Sequence, residues 1–428
     1  MALQARSHPR RASLSEEMHL RKLPGVRPPA RALQAVLVAS DTQLMATARL
    51  LRERAKIEAT GGARYLTWRE GQMSVAWERH TEFMTLTFLW EGAGRNFEFE
   101  GVEAALELLL TLPGEVLRAS KIHILGPDCA TPADADLGQL FSADDLVICD
   151  VADGRARIWS DFRLHDDGFG RLLIADRGLQ KGEPALLLQR LQELGNYRKM
   201  ALIGLPVAQA ANPAVAELEQ RLADLTKEMS VGSATDDTIL ADLLELSADL
   251  ARLSAETRHR MSATRAYAQL CAERLRQLRV SPVAGYRSLE DFTERRLSPA
   301  ARTCAAFTVR LDDLSRQAGW ASALLRTRID TRLAGQQRDL LASMDRRTDL
   351  QLRLQHMVEW VSAAAVAYYL VGLLHYAVAP FDHVAGLQQE TVLALASPAA
   401  LVAVVLVMHA FARRFRRPAN GSSKAGNS

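Results

Sequence analysis

The rhythm of apolar and polar positions changes twice along the chain. Between residues 33 and 178 apolar residues come in short runs broken by turn-forming residues, the signature of strands. Residues 33–39 form a β-type run, and the helical stretch after it carries Leu44, Ala48, Leu51 and Ala55. Runs at 65–68, 73–80 and 83–90 predict three more strands, the last two separated by only two residues, as in a hairpin. A helix over 102–112 stops at Pro113-Gly114, and further strands are expected over 122–125, 146–151, 156–162 and 172–176. Clustered consecutive strands with few helices predict an α+β domain with a mixed or largely antiparallel sheet.

After Leu179 the pattern is helical only. Val215, Leu218, Leu222, Leu225 and Met229 step by threes and fours, and Ile239, Leu243, Leu246, Leu250 and Leu253 do nearly the same beyond the breaker Val231-Gly232-Ser233. Two coiled-coil-like runs joined this way predict an antiparallel helical hairpin, ended by Pro282 and Gly285. Beyond Pro299 there is no proline until Pro380. Ile329, Leu333, Gln336, Leu340, Ser343, Arg347, Leu350, Leu354 and Met357 keep a four-three spacing, so one helix of about 70 residues and roughly 100 Å is expected. Gln336 and Arg347 on its seam argue against a dry coiled coil and for a polar-tolerant partner helix.

The third rhythm is uniformly apolar. Residues 360–379, opening on Trp360 and closing on Ala379, contain no Asp, Glu, Lys or Arg and span roughly 30 Å, the thickness of a hydrocarbon core. A second apolar stretch, 391–412, opens on Thr391 and closes on Ala412, interrupted only by Pro398 and followed by Arg413-Arg414-Phe415-Arg416-Arg417. The two predict a transmembrane hairpin. Arg346, Arg347 and Arg353 precede the first span, whereas the loop between the spans holds Asp382 and Glu390 but no Lys or Arg. The positive-inside rule therefore puts both termini in the cytoplasm. The expected organisation is a basic arm (1–32), a sheet domain (33–178), a helical hairpin region (179–299), a long helix to the membrane (300–357), a transmembrane hairpin (358–412) and a basic, disordered tail (413–428).

Composition supports a folded chain: 48% hydrophobic and 24% charged residues exclude general disorder. The net charge of +3 is too small to argue for nucleic acid. Basic clusters at both ends, beside an apolar span, suit an acidic lipid surface. Cys129, Cys149, Cys271 and Cys304 form no CxxC pair and read as structural cysteines of a reducing compartment.

Candidate chemistry is sparse. Glu78, His80 and Glu82 fall on one face of an extended strand, with Trp77, Arg79, Thr81 and Phe83 on the other, a set able to ligate a divalent cation. Asp161, His165, Asp166 and Asp167 mark a carboxylate-rich turn before Gly168. Within the spans, His375 and His409 are the ionisable side chains, and Ser362, Tyr369, Gly372 and Tyr376 form a stripe that suits a pore lining, with Asp382 and Glu390 at its mouth. There is no glycine-rich phosphate loop, GxSxG elbow, HExxH or dinucleotide fingerprint, which argues against a standard hydrolase, kinase or dehydrogenase. No cofactor is predicted apart from that divalent cation.

Several strings together carry a resemblance: Trp77-Glu78-Arg79-His80-Thr81-Glu82-Phe83, Trp159-Ser160-Asp161-Phe162-Arg163-Leu164-His165, Ala321-Ser322-Ala323-Leu324-Leu325-Arg326-Thr327-Arg328, Ser343-Met344-Asp345-Arg346-Arg347 and Tyr368-Tyr369-Leu370-Val371-Gly372-Leu373. In this order they resemble a proteobacterial family of membrane-anchored proteins with a domain of unknown function. Glu17-Met18-His19-Leu20-Arg21 resembles that family's Glu-x-His-Ala-Arg-Pro string, from which Leu20 and Lys22 depart. The resemblance implies a bacterial inner membrane and brings no activity. The layout is also similar to magnesium channels of the CorA type, although His375-Tyr376-Ala377-Val378-Ala379-Pro380 stands where those carry Gly-Met-Asn. The leading expectation is a multi-pass inner-membrane structural or interaction protein that binds the lipid bilayer and forms homo-oligomers through long helices. The alternative is a CorA-like divalent-cation channel, and a membrane-tethered enzyme comes third.

Overall fold

A computed structural model describes residues 6–11, 14–15, 24–57, 64–92, 101–128, 134–232, 234–378, 383–384 and 387–415. The chain divides into two compact units, residues 1–323 and 324–428.

The first unit is built on strands β1 (Ala30–Val38), β2 (Tyr65–Glu70), β3 (Met73–Arg79), β4 (Phe83–Glu91), β5 (Glu115–Leu125), β6 (Val147–Val151), β7 (Ala156–Ser160), β8 (Gly170–Asp176) and the two-residue β9 (Ser281–Pro282). They form one sheet in the order β2-β3-β4-β1-β5-β8-β7-β6-β9. Neighbours are antiparallel except β5 and β8, which run parallel, so the sheet is mixed.

Helices cover both faces. On one lie α1 (Asp41–Ala55) and α2 (Val102–Thr111), whose Leu44, Leu51 and Leu108 pack on Leu33, Leu37, Trp77, Met84, Leu86 and Phe88. A short helix α3 (Asp134–Leu140) adds Leu137 to this core. On the other face lies α4 (Glu183–Leu202), with Leu187, Leu188, Leu191 and Leu194 on Val36, Phe83, Ile122, Ile124 and Ile174. Coverage on both sides explains why β4 is buried at every position from Phe83 to Trp90, since a strand between two layers needs no polar alternation. The helical region shares this core: Cys271, Leu275 and Leu278 of α6 (Asp236–Leu278) and Leu289 and Leu297 of α7 (Leu289–Val378) belong to it.

Strand β5 begins at Glu115, well before the apolar run at 122–125, because Arg118 and Lys121 hide its first half from a hydrophobicity reading. The hairpin also corrects the face assignment at Phe83. Strand β3 ends at Arg79, residues 81 and 82 form the turn, and His80 pairs with Phe83. Phe83 therefore shares a side with Glu78 and His80, opposite Trp77, since residues paired across strands point the same way.

Away from the sheet, α5 (Gly204–Val231), α6 and the first part of α7 form a three-helix bundle. Helix α5 ends in Gly232, whose φ of 71° is the left-handed conformation glycine adopts without strain, and Thr235 caps α6. Val215, Leu218, Leu222 and Leu225 face Ile239, Leu243, Leu246 and Leu250, all buried. Helix α7 adds Leu297, Ala300, Cys304, Phe307, Leu311, Leu314 and Ala318, and Arg310 grips Glu219 of α5 with two hydrogen bonds of 2.5 Å. Helix α7 starts ten residues before Pro299, which sits inside it. Lying beyond the first turn, Pro299 removes one interior i→i−4 hydrogen bond of the helix.

In the second unit, α7 continues to Val378, followed by a tight hairpin of β10 (His383–Val384) and β11 (Leu387–Gln388) and by α8 (Gln389–Phe415). Among the described residues α7 is the one helix long and apolar enough to cross a membrane. Among the described residues of α8 the apolar stretch covers Ala394–Val407.

Candidate functional site

Four strands, β4, β1, β5 and β8, separate β3 from β7, which places Glu78 and Asp161 about 24 Å apart at ~4.8 Å per strand. The structure therefore holds two separate polar clusters.

The first lies between the sheet and α4. His80 Nε2 stands 3.7 Å from Glu78 Oε2, and its ring stacks on Phe83 at 4.1 Å. Glu82 is not part of this pair; its carboxylate accepts two hydrogen bonds, 2.5 and 2.7 Å, from Arg260 of α6. Burial first, and Glu82 second, push the Tyr267 phenol upward, and burial with Glu78 does the same to Tyr65, so both stay protonated donors at neutral pH. Gln34, Thr85, Thr87, Gln192 and Asn196 continue this layer inward, around a cavity of about 30 Å³. That volume holds a water molecule and no organic substrate.

At the inner end lies Arg118 of β5, donating to Gln34 Oε1 at 2.8 Å and Asn196 Oδ1 at 3.0 Å. Burial, reinforced by nearby Arg198, pulls its pKa down to about 9. Arg198, pulled down to about 10 by burial, rests its guanidinium over the rings of Phe162 and Phe292 at 4.4 and 5.0 Å. Gly195 makes this possible, because a Cβ there would lie 2.9 Å from Arg118 Cζ. Neither arginine carries a role readable from local sequence; Gly195 in mid-helix is the local signal of the space they need.

The second cluster follows β7. Asp161 has a fully buried carboxylate that accepts from the amides of Ser142 (3.0 Å) and Arg163 (3.2 Å) and stands 3.1 Å from His165 Nε2. Phe162 between them has a φ of 53°, a strained conformation for a bulky residue, which turns its ring onto Arg198 and Phe292. Asp166 belongs to the exposed turn. Asp167 accepts from Lys121 Nζ (2.8 Å) and the Phe169 amide (3.1 Å). Burial alone would raise its pKa, but Lys121, that amide and Arg171 outweigh burial and hold it below the ordinary value.

The sequence thus brought together two true pairs, Glu78 with His80 and Asp161 with His165, and neither reaches three ligands. Among the described residues no group of three His, Cys, Asp or Glu side chains converges as a metal ion would need. Cys149, Cys271 and Cys304 are buried free thiols, and burial pushes Cys149 and Cys271 up to about 11, away from reactive thiolates. Cys129 lies outside the described residues.

On α7, Ser362, Tyr369 and Tyr376 are exposed at seven-residue spacing, hence on one stripe, and Gly372 is half-buried. Trp360, His375 and Thr391 are exposed. Ala379 and Asp382 lie outside the described residues, as do residues 17–21; the side chains of Glu390, His409 and Ala412 are likewise outside them.

Comparison with known families decides the relationship. The family described as a protein of unknown function, DUF3422, matches residues 6–415. The chain belongs to the DUF3422 family. That match spans the sheet, the bundle and both C-terminal helices. No curated protein matches the chain.

Proposed function

We propose that the protein is a membrane-anchored interaction protein of the bacterial inner membrane, whose sheet and bundle stand in the cytoplasm and whose copies associate through α7. One observation carries the reading: the four-three seam of α7 is buried from Leu297 to Leu325, whereas its large apolar members from Leu333 to Met357 are exposed. Leu333, Leu340, Leu350, Leu354 and Met357 lie at helical spacing with more than half their surface open. A single chain gains nothing from such a stripe, whereas a second copy of α7 would cover it. Polar Gln336, Ser343 and Arg347 on the same stripe favour a partly hydrated, coiled-coil-like contact.

Further along, Val361, Val366, Tyr368, Leu370 and Leu373 are also exposed, and lipid covers them in this account. Helix α8, with the apolar sequence 391–412, returns the chain to the cytoplasmic side, where the arginines at 413–417 meet acidic headgroups.

Two experiments test the reading. Carbonate extraction of membranes should leave the full chain in the pellet. A reporter active only in the cytoplasm should work when fused after Ser428 and fail when inserted at Ala385. A soluble chain after extraction, or an exterior C-terminus, overturns the anchor.

A further inference from the structure

A cavity of the first unit lies between the second half of α6 and the start of α7, outside both polar clusters. It measures about 820 Å³ and opens to solvent along one side, within the range of small-molecule sites. Its origin is topological. The link from α6 to α7 is pinned to the sheet edge: Cys149 pairs with Pro282, Asp150 with Ser281, and the Ile148 amide donates to the Arg287 carbonyl at 3.1 Å. Two helices that closed directly on each other would fill the space; two whose roots are held across a sheet edge leave a cleft.

The chemistry of the walls is uneven. Met261, Leu275, Leu297 and Cys304 make a buried apolar floor. Arg265, Arg276 and Arg302 stand exposed on the rim and, among the described residues, form no ion pair, while Arg279 is engaged with Asp153. Glu290 and Glu294 line the cleft in the first turns of α7, so along that helix Arg302 is the lining cation set away from them, and on α6 Arg265 is the lining arginine furthest from the link to α7. Thr293 also lines the cleft, and its buried hydroxyl has no hydrogen-bond partner among the described residues.

We propose that this cleft binds an anionic single-chain amphiphile, its chain on the apolar floor and its carboxylate or phosphate head between Arg265 and Arg302. A purely apolar ligand would leave both guanidinium groups without an anionic partner, and a small polar anion would leave the floor wet. Arginine is suited to either head because its planar fork matches both carboxylate and phosphate. The inference does not rest on the membrane reading, since every residue it uses belongs to the first unit.

The test uses the full chain in phosphatidylcholine nanodiscs and palmitic acid carrying a diazirine, with adducts located by peptide mass spectrometry. Adducts are expected in 261–279 and 289–308. Ala301→Trp, which fills the cleft from its wall, should reduce them at least tenfold, and so should the exposed pair Arg265→Glu and Arg302→Glu, whose unchanged melting temperature controls for folding. Unlabelled oleate, lysophosphatidic acid or both should compete, which also identifies the head, while hexadecanol should not. Labelling confined to residues outside the cleft, labelling unchanged in the arginine variant, or equal competition by hexadecanol overturns the proposal.

Discussion

Helix α7 repeats one four-three spacing in two places that meet different fates. Between residues 297 and 325 its seam of Leu297, Ala300, Cys304, Phe307, Leu311, Leu314, Ala318 and Leu325 is buried. Between residues 329 and 357 the seam carries Leu333, Leu340, Leu350, Leu354 and Met357, all exposed, interrupted by Gln336, Ser343 and Arg347. The first seam has no polar member and meets complementary seams on α5 and α6. The second has three polar members, and its large apolar side chains are left uncovered by the described residues. Periodicity thus says that a helix has a face; the polar content of that face and the sequence available elsewhere say what covers it.

Substitutions separate the two halves most sharply. Leu311→Ala removes a side chain only 4% exposed and should cost about 3 kcal/mol by chemical denaturation. Leu340→Ala, at 62% exposed, should cost less than ~0.5 kcal/mol in the same assay on the dissociated single chain. Equal losses would mean that both halves are core. Glycines should split the same way. A Cβ on Gly204 would lie 2.1 Å from Thr264 Oγ1 where α5 meets α6, so Gly204→Ala should destabilise by ~1–3 kcal/mol. Gly335 meets nothing within 4 Å, so Gly335→Ala should stabilise its stretch of helix by ~0.5–1 kcal/mol, read as slower amide exchange.

The smallest effect is electrostatic. The hydrogen bonds from Arg310 hold Glu219 below its ordinary 4.5, so this bridge between α5 and α7 contributes above that value and is lost as pH falls through the lower, folded one. The pair is partly exposed, which limits its worth to about 0.5 kcal/mol. Melting temperatures between pH 6 and pH 3.5 should fall slightly less steeply in Glu219→Gln than in the native chain.

Legibility followed distance along the chain. The seams on α5 and α6 were readable because buried positions recur every three or four residues within one element, and the breaker between them is a glycine with positive φ. The Asp161–His165 pair was readable because both residues belong to one turn. Glu82 was not, because its partner Arg260 is 178 residues away, and a strand face was extrapolated through a turn that reverses it at Phe83. The Arg118 layer was hidden for a related reason: its partners Gln34 and Asn196 come from elements 84 and 78 residues away, and its own strand half lacks apolar alternation. Local periodicity reports elements; polar networks are written across them.

The central claim is that the exposed half of α7 is a contact between copies of the chain. Single cysteines placed at each position from 326 to 357, with Cys129 replaced by serine and the buried native cysteines kept, can be oxidised in native membranes. The account predicts disulfide dimers with a three-four period that peaks at Leu333, Leu340, Leu350 and Leu354 and vanishes on the opposite face. Dimers absent at all positions, or formed equally at all of them, would contradict it.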